Sequence, residues 1–405
     1  MSQVGDFPGE CQSILFADTP CFSVPASVPL FPTAVVGSFP RPEWLLHAIR
    51  EFDKGTMTKE ELREHYDDAI KLMLKEQEVA GVDIVSDGEQ RRFSFLAFVS
   101  EKLPSFKIVS VRKLMNKEAL KFADEMNLPI DLISNPVIVD RVRRRIPLAL
   151  DEFEFARQYT AKPIKVPLIG PYTLLINSWN RRLSSGAYPE PQDAVDDIAK
   201  MLREEILELK RAGAFFVQLD EPGIGNFVDY RYTRFLLALN EWKIRELEEL
   251  HKLAVEMINK VVKGISGIKL GVHICRGNWP AEERYLSWGG YEKMITDMLE
   301  IKAKQLVLEF ATKRAGTIDV FKEHRTDHEI GLGVIDVKSK RVEKPSKIVA
   351  RVEKASKYFD VSKIYLNPDC GFASGRPWPV VDRETAFAKL RAQTEAAQTL
   401  RKEFG

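Results

Sequence analysis

Four side chains with metal-ligand chemistry sit on apolar, strand-like stretches of the sequence: His273 and Cys275 in GVHICRGNW, Glu309 in LVLEFA, and Cys370 in YLNPDCGFA. Alternate side chains of a strand project to opposite faces, so His273 and Cys275, two apart, point the same way. Glu309 and Cys370 each end a separate apolar run, which predicts four ligands at one rim of a sheet. Imidazole, thiolate and carboxylate together suit tetrahedral zinc, and a carboxylate is a displaceable ligand in a way that a fourth thiolate is not. The chemistry expected of such a centre is thiol activation. A free thiol has a pKa of about 8.5 and is mostly protonated at neutral pH, whereas zinc deprotonates a bound thiol and leaves it nucleophilic toward an alkyl carbon. No metalloprotease or zinc-ribbon spacing occurs, so the argument rests on what surrounds these residues.

Ligands at one rim require strands that all finish on one side. Strand candidates are Ala34 to Phe39, Asp83 to Asp87, Ile164 to Ile169, Phe215 to Leu219, Ile268 to Cys275, Gln305 to Phe310, Ile330 to Val337 and Lys363 to Asn367. Helical patterns lie between most of them. Thr58 to Ala80 opens with the capping box Thr58-Lys59-Glu60-Glu61 and continues with Leu62, Tyr66, Ala69, Ile70 and Met73 at helical spacing. Asp193 to Ala212 repeats the theme and stops at Gly213. Further helices are expected over Leu237 to Lys263, Gly290 to Lys302, Lys347 to Tyr358 and Arg383 to Lys402. Strand then helix, eight times, predicts an α/β fold of the (β/α)8 TIM barrel type.

Two stretches fall outside this alternation. Residues 1–33 carry Pro8, Pro20, Pro25, Pro29 and Pro32 without helical periodicity and read as an extended N-terminal arm before a barrel of residues 34–405. After the second strand, residues 102–163 read as an insertion, with a helix over Asn116 to Asn127 and the basic, strand-like run VDRVRRRIPL. Loops that long usually serve as lids or recognition elements. The alternative is a hairpin whose Arg141, Arg143, Arg144 and Arg145 face water.

Composition narrows the class. The 405 residues are 44% hydrophobic and 29% charged, as in an ordinary globular protein. With 60 basic against 59 acidic side chains the chain is about neutral, which argues against nucleic acid or an anionic membrane as the main partner. No apolar run approaches the roughly 20 residues of a membrane span, and the N-terminus lacks the basic then apolar order of a signal peptide, so a cytoplasmic location is expected. Of four cysteines, Cys11 and Cys21 lie in the N-terminal stretch. No disulfide framework is expected, and a reducing compartment fits.

In such barrels the reactive groups lie at the C-terminal ends of strands. Here those ends read GSFPRP, SDGEQRR, IGPYTLL, QLDEPG, HIC, LEF, GVIDVKS and NPDCGF, in this order. The series resembles the catalytic half of cobalamin-independent methionine synthase and its short relatives over roughly residues 34–375. That resemblance implies a zinc-dependent methyltransferase that makes methionine from homocysteine. It implies His273, Cys275, Glu309 and Cys370 as zinc ligands, Ser38 on the substrate carboxylate, and Glu89 and Asp220 on its ammonium group. A desolvated ammonium needs such paired charge. Glu221 reads either as a further substrate group or as a buried anchor for an Arg or backbone neighbour. Arg91 and Arg92 suit an anionic part of donor or acceptor, or a salt bridge.

The sequence also departs from the family. Lys338 stands where the synthases commonly carry a histidine held to protonate the leaving group, and burial would have to lower its pKa for it to do the same. The family's folate-packing tryptophan is out of register, with Asn177 near its position and Trp179 two further on. Trp279 offers another aromatic wall or a core contact. The N-terminal barrel of the long synthases has no counterpart, so methyltetrahydrofolate and a methylated corrinoid or corrinoid protein both stand as donors. Two other readings remain: alkyl transfer involving another thiol, a methoxylated compound or an epoxide, as in epoxyalkane:coenzyme M transferase, and a ligand-binding barrel with structural zinc. Uroporphyrinogen decarboxylase resembles the barrel but needs no metal.

Overall fold

The segment after the second strand candidate contributes the first regular strands, β1 (Phe106–Ser110) and β2 (Ser134–Ile138), an antiparallel pair. Six parallel strands follow in chain order: β3 (Lys165–Ile169), β4 (Phe216–Asp220), β5 (Lys269–Ile274), β6 (Gln305–Leu308), β7 (Glu329–Ile335) and β8 (Ile364–Pro368). This computed structural model describes residues 28–244, 246–278, 282–375 and 381–405. Cys11, Cys21, Trp279 and the arm before residue 28 lie outside them.

The ring returns from β8 to β3 through the two segments expected as the first strands. Thr33 bridges Leu366, Ala34 bridges Ile84, and Val85 bridges Ile164, all parallel. Each segment pairs at only one or two positions because side chains take the bonds a ladder would use. Lys165 Nζ donates to the Val35 carbonyl at 2.7 Å and Gln218 Nε2 to that of Val36 at 3.0 Å. In the second segment the Gln77 amide holds both the carbonyl and the N–H of Ser86, at 2.7 and 3.0 Å. Strands β3, β4, β6 and β8 are buried along their whole length, as a parallel sheet covered on both faces requires.

Outside the ring, the helix Lys59–Val79 begins at the expected capping box, with Thr58 and Glu61 exchanging bonds. Asn116 caps the helix Lys117–Met126, and Asn127 ends it in the left-handed conformation. Two expected helices differ. The stretch 237–263 is two helices, Arg231–Asn240 and Glu249–Val262, because Glu241 turns left-handed at φ 53°. Only Ile295–Leu299 is α-helical within 290–302.

The basic run at 139–148 forms no strand. Arg144 pairs with Glu205 and Glu208 on the helix Val195–Arg211, and the N–H groups of Leu148 and Ala149 donate to Glu205 at 2.8 Å. Arg141 lies over the Tyr188 ring, while Arg143 and Arg145 are exposed. Arg141, Arg143 and Arg145 are thus exposed, whereas Arg144 docks the segment on that helix. Among the described residues no helix is long and apolar enough to cross a membrane.

Candidate metal centre and substrate cavity

β5 places His273 beside Asp220 of β4 and Val307 of β6, and Cys275 follows the end of the strand. Cys370 lies just beyond β8, and Glu309 just beyond β6. All are at C-terminal strand ends, where this topology collects loops around one opening. The donor atoms of His273, Cys275 and Cys370 lie within 4.8 Å of one another, and all three residues are buried.

The cluster has the dimensions of a metal site. The two sulfurs stand 3.8 Å apart, far beyond a disulfide bond of about 2.05 Å. Two thiolates, each about 2.3 Å from one tetrahedral ion, would stand about 3.8 Å apart. His273 Nδ1 bonds the Val307 carbonyl at 3.1 Å, so that nitrogen carries the proton, and Nε2 is left buried without a partner. A ring oriented through one nitrogen with the other's lone pair free is the usual state of a metal-ligating histidine. Cys370 Sγ donates to Cys275 Sγ. The bond from Cys370 draws the Cys275 thiol well below its ordinary range, and the same bond, with burial, pushes Cys370 up.

Glu309 does not join this group. Its carboxylate is fully buried and bound by Arg314, by the N–H of Arg276 at 2.9 Å and by Asn278 Nδ2 at 2.8 Å. Lys338 lies half-buried beyond β7, and burial lowers its ammonium to about 8.

A cavity of about 130 Å³ opens beside the three donors, lined by all of them together with Ser38, Glu89 and Asp220. Burial raises Glu89 to about 8 and Asp220 to about 6, so both sites favour an arriving cation that restores their charge. Gln218 Nε2 donates to Asp220 at 2.8 Å from two residues earlier on the same strand face. Glu89 sits at a left-handed φ of 53° in a turn clasped by Arg41, whose guanidinium donates to the Glu89 carbonyl at 2.8 Å. A Cβ on Gly37 would lie 2.4 Å from Glu89 Oε1, and one on Gly371 would lie 2.1 Å from Ser38 Oγ. Both glycines make room for side chains of the site.

Two further expected residues sit behind the cavity wall. Glu221 accepts from the N–H groups of Tyr172 and Thr173, at 3.0 and 2.8 Å, and from the Thr173 hydroxyl at 2.6 Å, so it anchors the start of the helix Pro171–Ser178. Arg92 pairs with Glu152 at 2.6 Å, donates to the Pro167 carbonyl at 2.9 Å and covers the Phe98 ring. Sequence reasoning missed Gln218, Arg41, Asn278 and Arg314. Gln218 was detectable, two before Asp220 on a strand; the others act across loops and left no periodic signal.

Comparison with known proteins finds relatives along nearly the whole chain. The family description "cobalamin-independent synthase, catalytic domain" matches residues 31–399. A methionine synthase of Pyrococcus horikoshii is 32% identical over 378 residues, 93% of this chain and 95% of that protein. One of Saccharolobus solfataricus is 30% identical over 381 residues, 94% and 97% of the two chains. Among solved structures, a B12-independent methionine synthase from Shewanella sp. W3-18-1, in complex with selenomethionine, superposes with a TM-score of 0.70 at 25% identity, covering 92% of this chain and 98% of that one. A methyltransferase from Methanosarcina mazei shares the fold, at a TM-score of 0.52 and 15% identity over 91% of this chain and 95% of that one.

Proposed function

The chain belongs to the cobalamin-independent methionine synthase family and is a methyltransferase; we propose that it transfers a methyl group to homocysteine, with zinc held by His273, Cys275 and Cys370. The observation that carries this reading is the sharing of one cavity by three soft donors and two buried carboxylates. The donor set fits zinc: two sulfurs at the separation of common ligands and an imidazole nitrogen with nothing else to bond. Zinc bound there would supply a deprotonated yet nucleophilic substrate sulfur at neutral pH. Three protein ligands beside a cavity are the pattern of a catalytic zinc site rather than a closed structural one.

The chain's own residues then orient the amino acid. Asp220 and Glu89 pair with the ammonium group, which holds Asp220 in the charged form and returns Glu89 to it, and Ser38 with the neighbouring backbone receives the substrate carboxylate. Burial of all three excludes water and strengthens those contacts. Two carboxylates would repel the head group of a sulfonate thiol, which disfavours an acceptor of the coenzyme M kind. We place the methyl donor, a methylated folate or corrinoid, along the wall formed by Phe95, Leu96, Ile133 and Tyr232. Lys338 Nζ, its pKa brought to about 8 by burial, is assigned the proton delivered to the leaving group. The location we assign is the cytoplasm.

The test is a thiol panel on zinc-loaded protein, with methyltetrahydrofolate and methylcobalamin as donors in turn. Methionine formed from homocysteine, with a sulfonate thiol inert, is the expected result. Preference for the sulfonate thiol would overturn the acceptor assignment.

A further inference from the structure

Lys165, the first residue of β3, and Gln218 of β4 are both fully buried. Lys165 Nζ donates to two neutral oxygens, the Val35 carbonyl at 2.7 Å and Gln218 Oε1 at 3.0 Å. The Gln218 amide continues the chain. Its nitrogen donates to the Val36 carbonyl at 3.0 Å and to Asp220 Oδ1 at 2.8 Å, so both amide hydrogens meet acceptors while the amide oxygen faces the lysine. Turned over, the amide would set its oxygen against a carboxylate and a carbonyl, so only one orientation satisfies it. Val35 and Val36 lead into Gly37 and Ser38, and the cluster thereby ties the strand end carrying Ser38 to the one carrying Asp220. We propose that Lys165 and Gln218 are positioning residues, a buried relay that fixes the Asp220 carboxylate for the ammonium group of an amino-acid thiol.

This assignment rests on the ammonium reading of Asp220 given above. Packing alone gives no reason for a lysine at this position. An ammonium withdrawn from water and bonded to neutral oxygens is disfavoured, and burial, with Lys269 nearby, brings Lys165 down to about 7. A methionine of similar length would fill the same space without that penalty. What it would not supply is a donor for Gln218 Oε1, and an orphaned amide oxygen would loosen the group that holds Asp220. The relay also decides how the carboxylate meets the cavity. Oδ1 is committed to Gln218, and among the described residues Oδ2 has no hydrogen-bond partner, which leaves that oxygen for a ligand.

The test is homocysteine binding by calorimetry, on zinc-supplied variants that keep the wild-type circular dichroism. Lys165→Met orphans the Gln218 oxygen and Gln218→Met removes the donor to Asp220, so each should bind homocysteine about fivefold more weakly. The two losses should not add, because both act through one bond to Asp220. A merely structural lysine would weaken binding whatever residue stands at position 220. The decisive readout is therefore the Asp220→Ala background, in which adding Lys165→Met should change the affinity by less than about twofold. Gln218→Met carries the same comparison if the lysine variant does not fold. Wild-type affinity in both single variants, or a loss of about fivefold that persists in the Asp220→Ala background, would overturn the assignment. Wild-type affinity in Asp220→Ala alone would instead sink the ammonium reading, so the two failures are distinct.

Discussion

Asp220 and Glu89 line the cavity from different strand ends, and each can be tested without touching His273, Cys275 or Cys370. Replacing Asp220 by Asn removes one charge from the ammonium site. Homocysteine should bind about tenfold more weakly, by calorimetry, with zinc content unchanged, since a hydrogen bond to a charged group contributes about 1.5–3 kcal/mol. Equal affinity would remove the assignment. Gly37→Ala should weaken homocysteine in the same assay, because the new Cβ would lie 2.4 Å from Glu89 Oε1 and 2.9 Å from the Pro167 ring. Cys370→Ser tests the other wall: loss of both zinc and turnover is expected, and a variant with full metal content and normal turnover would contradict it. Strand parity made His273 and Cys275 legible as a pair, and the apolar run before Cys370 placed it at the same rim. The partner of Glu309 was not legible, since Arg314 reaches it through a local turn that no periodicity announces.

Elements hold these residues through long-range polar contacts that the sequence does not display. Arg92 and Glu152, 60 residues apart, join the turn that carries Glu89 to the helix Leu150–Ala156, with side chains 2% and 5% exposed. Arg92→Met would leave Glu152 buried without its cation and should cost about 3–5 kcal/mol in a urea unfolding titration. A loss below about 1 kcal/mol, the size of a surface pair, would show that the contact is not structural. Local signals fared better than these. The capping box at Thr58 and the Asn116 and Asn127 termini were legible because the bonds that end a helix lie within a few residues. The break at Glu241 was not, since a left-handed glutamate carries no mark in the sequence. The first two strand segments pair only at bridges because Lys165 and Gln218, distant in sequence, and Gln77, nine residues before Ser86, take their backbone groups.

The molecule as a whole derives its fold from hydrocarbon packed on both faces of the ring, with His273, Cys275 and Cys370 confined to one end. Stripping the metal should therefore abolish methyl transfer while far-UV circular dichroism stays unchanged, and added zinc should restore activity. Unfolding on chelation, the behaviour of domains whose folding energy is metal binding, would contradict a barrel that stands on its own core. The architecture was legible from strand-then-helix alternation and from reactive residues at successive strand ends. How residues 139–148 dock, through Arg144 and Glu205, depends on pairs that meet only after folding. The most direct test of the central claim is zinc-edge X-ray absorption on the purified protein, with and without homocysteine. The account predicts a zinc shell containing the sulfurs of Cys275 and Cys370 and the nitrogen of His273, with one further sulfur when homocysteine is added. A shell that homocysteine leaves unchanged would contradict it.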